Sequence, residues 1–588
     1  MKWPFHIAAF IEDRILQASS GMEGFDDAFT PDVRPADARF GEFQANGVLP
    51  MAKRQKKNPR DLATRLVEAM EDKSGFSGDD LAMNVAGPGF INFRFMPGFY
   101  HEWLDNIRTH SDLQTACRGA ITDKVVVVDF SSPNTAKQMH VGHIRSSVIG
   151  EALCRMLEFQ GARTIRDNHI GDWGTQFGIL LMAIHHFDTR LDVENDEALE
   201  ELEELYRRGS KLTRESEEKL EEARQELVKL QNGDPENLSR WEQINSISQK
   251  AFQEIYNLLG IRFDYVLGES FYQDSVENVY TELESLGIAK ESEGALVVFH
   301  PEHPRFKKQS FMVRKSDGAS NYATTDLATI LHRIQEWKAE EIIYVTDGRQ
   351  QDHFEQLFLT ARKWLKHHPE INMPKLRHVW FGTILGEDGK AIKTRSGEPI
   401  KLKDLLAEAI ERARVTVENK NPDLDEKERD EVARHVGLGA VKYADLSQNR
   451  TGDYVFSWEK MLSLEGNTAP YLLYAVVRIR SIFRKAGLNP GEGEDAADRV
   501  ETEEELALAR QLLLFASALE QATSDLRPHI LCTYLYDLAV TFSSFYNANK
   551  VMVDEEPTQA RRLLLCARTL TVMETGLHLL GIETLEKM

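Results

Sequence analysis

Val125 to Val128 form an unbroken apolar run, the pattern of a strand covered on both faces. A polar loop follows it. Val141, Ile144, Val148, Ile149 and Met156 then recur at helical spacing, and Gly161 is a natural helix end. The same plan returns twice: "EIIYVTD" (341–347) precedes "HFEQLFLTARKWL", and "HVWFGTIL" (378–385) precedes a glycine-rich loop and "DLLAEAIERAR". Strands alternating with helices predict an α/β domain built on a parallel, doubly wound, Rossmann-like sheet over 116–385. An insertion at about 187–310 interrupts it. Its charge-dense "LEELEELYRRGSKLTRESEEKLEEARQELVKL" reads as a solvent-exposed helical hairpin.

The flanks follow other patterns. In residues 1–115, Ile7, Phe10, Ile11 and Ile15 sit at helical spacing, and Gly87, Pro88 and Gly89 mark a turn before a strand. A small α+β domain is expected there. Residues 386–455 form a glycine-rich loop and a connecting region. From 456 to 588 the pattern is nearly all helical, which predicts an all-α bundle.

Composition narrows the class. At 588 residues the chain is long enough for several domains. No apolar run approaches bilayer length, and "MKWPFHIAAFIEDR" is a poor secretory signal. Cys117, Cys154, Cys532 and Cys566 are scattered without paired spacing, which suits a reducing cytoplasm and neither a zinc site nor a disulfide framework. The net charge of −23 argues against a nucleic-acid partner, but "KRQKKNPR" (53–60) and "VRIRSIFRK" (477–485) are local basic clusters.

Three elements carry candidate chemistry. A helix starting near His140 offers free N–H groups and a positive dipole end to an anion. His140 and His143 lie about one turn apart, so both rings can donate to phosphate oxygens on which charge builds as a nucleophile attacks phosphorus. Gly142 keeps side-chain atoms away from that backbone. Two such histidines are more often ordinary polar surface, and a zinc site would need a third ligand; the preceding buried strand favours the phosphate reading. The second element, "GEDGKAIKTRSGEPIKL" (386–402), gathers Lys390, Lys393 and Arg395 on a loop able to close on a pyrophosphate. The third is a set near strand and helix ends: Asp129, Asn134, Tyr322, Asp326 and Gln351. Each could be a cap or turn residue; together they would line an acidic pocket for a cationic small molecule.

The ordered set "FGEFQANG" (40–47), "GPGFINF" (87–93), "FSSPNTAKQMHVGHIRSS" (130–147), "NHIGDWGTQFG" (168–178), "YVTDGRQQDH" (344–353) and "LEGNTAPYLLYA" (464–475) resembles the arginyl-tRNA synthetases, a class I aminoacyl-tRNA synthetase family. "HVGH" is similar to the HIGH signature of that class. The resemblance implies ATP-dependent ligation of L-arginine to tRNA(Arg) through arginyl-adenylate, with adenylate formation requiring bound tRNA. It implies ATP with Mg2+ as substrate, no protein-held metal, and a monomeric cytoplasmic enzyme. Carried over by residue, His140, Gly142, His143, Lys393 and Arg395 bind ATP. Asp129, Asn134, Tyr322, Asp326 and Gln351 bind arginine. Gln44 and Asn46 in the N-terminal domain touch the tRNA elbow, and Tyr471, Tyr474 and Arg478 in the helical domain touch the anticodon. The second signature, KMSKS in the class, is reduced to "KTRSG" (393–397), and Lys137 is the candidate to supply the missing charge. Asp129 stands where many relatives carry Glu and reaches one methylene less far, which points to an indirect contact. Two other readings compete: a synthetase-like tRNA-binding protein without catalysis, and a different class I ligase or nucleotidyltransferase.

Overall fold

A computed structural model describes residues 3–73, 81–315, 322–393 and 399–588. The described residues group into two compact units. One comprises 1–120, 413–447 and 460–588; the other comprises 121–412 and 448–459. Among the described residues no helix is long and apolar enough to cross a membrane.

The first unit combines an antiparallel sheet with helices. Strands β1 (Val33–Pro35), β2 (Phe43–Ala45), β3 (Leu81–Ala86) and β4 (Phe90–Phe95) lie in the order β1-β2-β4-β3. The sequence treats residues 1–115 as separate from the C-terminal helices, yet long-range polar contacts join the two. Buried Glu42 accepts from Arg510 Nε at 2.6 Å and from the Phe95 backbone N–H at 2.7 Å. Arg568, fully buried on the helix Glu556–Leu579, donates to the Leu104 carbonyl at 2.8 Å and pairs with Glu494 at 2.9 Å. A buried charge needs such partners, and their separation along the chain leaves no local trace in sequence.

The second unit holds the parallel sheet. Strands β5 (Val125–Asp129) and β6 (Arg163–Asp167) are followed by an antiparallel sheet of β7 (Ala289–Ser292), β8 (Ala295–Phe299) and β9 (Ser310–Arg314). Then come β10 (Glu341–Asp347) and β11 (Lys375–Phe381). The order β11-β10-β5-β6 is parallel throughout, with Val127 opposite both Ile342 and Ile165. Apolar residues on both faces bury it, as the valine run predicts. The helix Gly142–Phe159 follows β5, and Gly161 takes φ +96° just beyond its end.

The insertion departs from the exposed hairpin that its charge density suggests. Its helices Ala198–Glu215 and Glu217–Gln231 pack on the helix Thr175–Phe187. Leu199, Leu202 and Leu205 are buried. A Cβ at Gly178 would lie 2.2 Å from the Ala223 carbonyl oxygen, so only glycine permits that approach. The third helix, Pro235–Leu259, reaches the loop after β5.

One buried ion cluster ties the carboxyl ends of β5 and β6. Arg333, fully buried on the helix Tyr322–Gln335, donates to Asp129 at 2.6 Å and to Asp167 at 2.6 Å. Burial works against its charge, but the two carboxylates outweigh that and hold its pKa well above the usual arginine value. Arg333→Met would leave two buried carboxylates unpaired. It should cost about 3–5 kcal/mol in the urea-unfolding transition; an unchanged midpoint would show that the cluster carries no stability.

Candidate active site

The loop from Phe130 to Val141 leaves the carboxyl end of β5, where open α/β sheets bind ligands. Ser131, Ser132 and Ala136 all have positive φ, at 71°, 48° and 62°. Three non-glycine residues in that region are costly, and surrounding donors and acceptors hold them there. The Ser131 N–H donates to Ser146 Oγ at 2.8 Å, the Ser132 N–H to Asn168 Oδ1 at 3.0 Å, and the Ala136 N–H to Ser248 Oγ at 2.9 Å. Asn134 is exposed and bridges Gly171, where any Cβ would collide with the Asn134 amide oxygen at 2.1 Å.

His140 and His143 come together. Their ring centroids are 4.1 Å apart with planes inclined at 44°. The backbone N–H of His140 donates to Nδ1 of His143, and that of Gly142 to Nδ1 of His140, each at 3.0 Å. With Nδ1 accepting from these N–H groups, a neutral ring carries its proton on Nε2, although His143 Nδ1 also lies 3.2 Å from the His140 carbonyl oxygen. Burial, reinforced by the neighbouring His140, lowers the pKa of His143 to about 3. Burial and the positive charge of Arg349 lower that of His140 as well. A Cβ at Gly142 would sit 2.9 Å from the His140 ring, so the glycine also makes room for the pair.

The second signature segment returns beside the histidines. Its exit strand pairs with the segment before the helix: Val141 N–H donates to the Ile400 carbonyl and Leu402 N–H to the Met139 carbonyl, each at 2.8 Å. Lys393 is exposed and bridges Pro399 across the loop. Arg395 lies outside the described residues. Lys137 is exposed, with Nζ 5.4 Å from the centre of the Tyr206 ring.

The acidic group divides. Asp129 is buried, its Oδ2 taken by Arg333 at 2.6 Å and its Oδ1 by Ser132 Oγ at 3.0 Å. Asp326 is partly exposed and pairs with His353 Nε2 at 2.6 Å, a contact that raises the His353 pKa against its burial. Gln351 is half-buried and donates to the Gly348 carbonyl at 2.9 Å. Tyr322 opens its helix; its side chain lies outside the described residues. Two further carboxylates join Asp326. Glu269 has its pKa pushed up to about 8, first by burial and then by Asp326 and Asp172. Asp172 is buried, accepts from the Ser270 N–H at 2.9 Å and from Ser270 Oγ at 2.6 Å, and is itself shifted upward by burial. Sequence reasoning passed over both, although Asp172 lies inside the quoted "NHIGDWGTQFG".

In the first unit, Gln44 donates to Asn92 Oδ1 at 2.7 Å and Asn46 to the Asp32 carbonyl at 3.4 Å. On the helix Ala469–Ala486, Tyr474 is 42% exposed, and the half-buried Arg478 lies 4.8 Å from its ring and 5.6 Å from that of Tyr546. Tyr471 packs instead against Tyr536, at 5.7 Å.

A parallel sheet with an HxGH element at a strand end and a lysine-bearing loop returning beside it is the layout of a class I tRNA synthetase. The family described as "tRNA synthetases class I (R), catalytic domain" matches residues 106–458. "Arginyl tRNA synthetase N terminal domain" matches 7–95, and "DALR anticodon binding domain" matches 472–588. The chain is 43% identical over 559 residues to the arginine–tRNA ligase of Cellvibrio japonicus, covering 94% of each chain. It is 42% identical over 604 residues to that of Alteromonas mediterranea, covering 99% of this chain and 100% of the relative. Its fold is similar to arginyl-tRNA synthetase of Thermus thermophilus (TM-score 0.82, 26% identity, 99% and 100% coverage). That of Plasmodium falciparum is similarly close (TM-score 0.81, 28% identity, 100% of both chains). The chain belongs to the arginyl-tRNA synthetases, the ligases that charge tRNA with arginine.

Proposed function

We propose that the neutral imidazole pair and the acidic group beside it divide the first half of the reaction between them. The arginine carboxylate oxygen attacks the α-phosphorus of ATP, a P–O bond forms, and the bond to pyrophosphate breaks. Negative charge spreads over the phosphate oxygens as this happens. Nε2–H donors fixed by backbone contacts stabilise that charge without reorganising. Gly142 leaves the helix N-terminus open beside them. Lys137, Lys393 and Arg395 neutralise the departing pyrophosphate. Mg2+ enters with ATP as part of the substrate. A ribose hydroxyl at the tRNA end then attacks the arginyl carbonyl, and AMP leaves.

In this reading the guanidinium enters the acidic group. Asp326 and Glu269 accept from it, with Asn134, Tyr322 and Gln351 orienting the rest of the amino acid. Asp129 acts indirectly, through Ser132 and the loop it anchors. Asp172 fixes Ser270 beside Glu269. A pocket of carboxylates answers a planar, bidentate cation better than an ammonium. The tRNA is met by Gln44 and Asn46 at its elbow and by Tyr471, Tyr474 and Arg478 at unpaired anticodon bases, which stack on aromatic faces. The enzyme acts as a cytoplasmic monomer, and bound tRNA is required for adenylate formation.

The observation that carries this reading is the pairing of two imidazoles, 4.1 Å apart, at the end of a parallel strand. Its test is arginine-dependent ATP–pyrophosphate exchange in the presence of tRNA. His143→Ala should lower kcat of exchange by about 10²–10³-fold with little change in the arginine KM. Equal damage to both would deny the imidazole a transition-state role. In the same assay Asp326→Asn should raise the arginine KM about tenfold or more while kcat falls less; an unchanged KM would remove Asp326 from the pocket.

A further inference from the structure

The helical insertion reaches the signature loop at a point no catalytic role accounts for. Tyr206 stands half-buried on the helix Ala198–Glu215, and the Lys137 ammonium lies over its ring at 5.4 Å. One turn earlier, Glu203 accepts from the Gln138 amide at 3.0 Å. A cleft of about 410 Å³ opens here, lined by Lys137, His140, Tyr206 and Lys401 among others. The helix packs tightly on the helix Thr175–Phe187: a Cβ at Gly209 would lie 2.9 Å from Ala183 Cβ. Lysine has four rotatable bonds, and an exposed ammonium on a loop is otherwise free to wander. A ring face within about 6 Å attracts it without consuming its charge, unlike a carboxylate.

We propose that Tyr206 is a positioning residue that holds the Lys137 ammonium over the cleft it shares with His140, so that Lys137 meets the phosphates of ATP already oriented. The insertion thereby contributes to nucleotide activation through a face of its first helix. This rests on the reading in which Lys137 works on those phosphates.

The test is a double-mutant cycle on the full chain, read by ATP–pyrophosphate exchange with tRNA. Tyr206→Leu should raise the ATP KM about threefold to fivefold with the arginine KM unchanged. Tyr206→Phe, which keeps the ring face, should behave as the unaltered chain. Lys137→Ala combined with Tyr206→Leu should be no worse than Lys137→Ala alone. Tyr206→Met serves the same purpose should the leucine variant not fold. If Lys137→Ala leaves ATP kinetics unchanged, the phosphate role of Lys137 falls and the inference falls with it. If Lys137→Ala is damaging but the Tyr206 loss is absent, multiplies with it, or persists in Tyr206→Phe, only the assignment of Tyr206 is overturned.

Discussion

The site is built on a buried guanidinium that belongs to the chain itself. Arg333 joins the carboxyl ends of two adjacent parallel strands through Asp129 and Asp167, with no exposure of its side chain. Without that cation, two carboxylates would face each other in a low-dielectric interior, where one of them would have to take up a proton. With it, the strand ends are fixed, and the loop that springs from β5 can hold three residues in the left-handed region. That loop sets the register of His140 and His143. Their Nδ1 atoms accept from backbone N–H groups, and in the proposed reading Nε2 carries the proton that meets the phosphate.

The same cluster changes the charge arithmetic of the neighbouring pocket. Arg333 cancels one of the two charges of Asp129 and Asp167, and burial pushes the Asp167 carboxyl upward. The nearby pocket adds Asp326, Asp172 and Glu269. His353 answers Asp326 in part, and Ser270 answers Asp172 with two hydrogen bonds. Glu269 is left facing like charges and keeps its proton to an unusually high pH. A carboxyl held neutral by desolvation and repulsion gives up its proton when a cation arrives beside it.

Much of this was legible before the fold was known. The valine run and "EIIYVTD" became β5 and β10 within a residue, because strands buried on both faces carry a continuous apolar signal. The histidine pair was readable because its spacing is local. What stayed hidden depends on long-range meetings. Asp129 is legible as an arginine-site candidate with an indirect contact, but nothing near it in sequence announces Arg333, 204 residues away. Glu269 sits beyond the insertion helices, and its neighbours Asp172 and Asp326 come from distant segments. The insertion itself looked solvated because charge density conceals the buried Leu202 and Leu205 stripe. The acidic total of −23 says nothing of Arg478, half-buried against Tyr474 and Tyr546; the local basic cluster at 477–485 is what made it readable.

The most direct check on the pocket is a count of protons. Arginine binding to the full chain with tRNA can be followed by calorimetry at pH 7 in buffers of differing ionisation enthalpy. With the Glu269 carboxyl titrating at about 8, the account predicts release of roughly one proton per arginine bound, lost in Glu269→Gln. Binding by the unaltered chain with no proton released would contradict it.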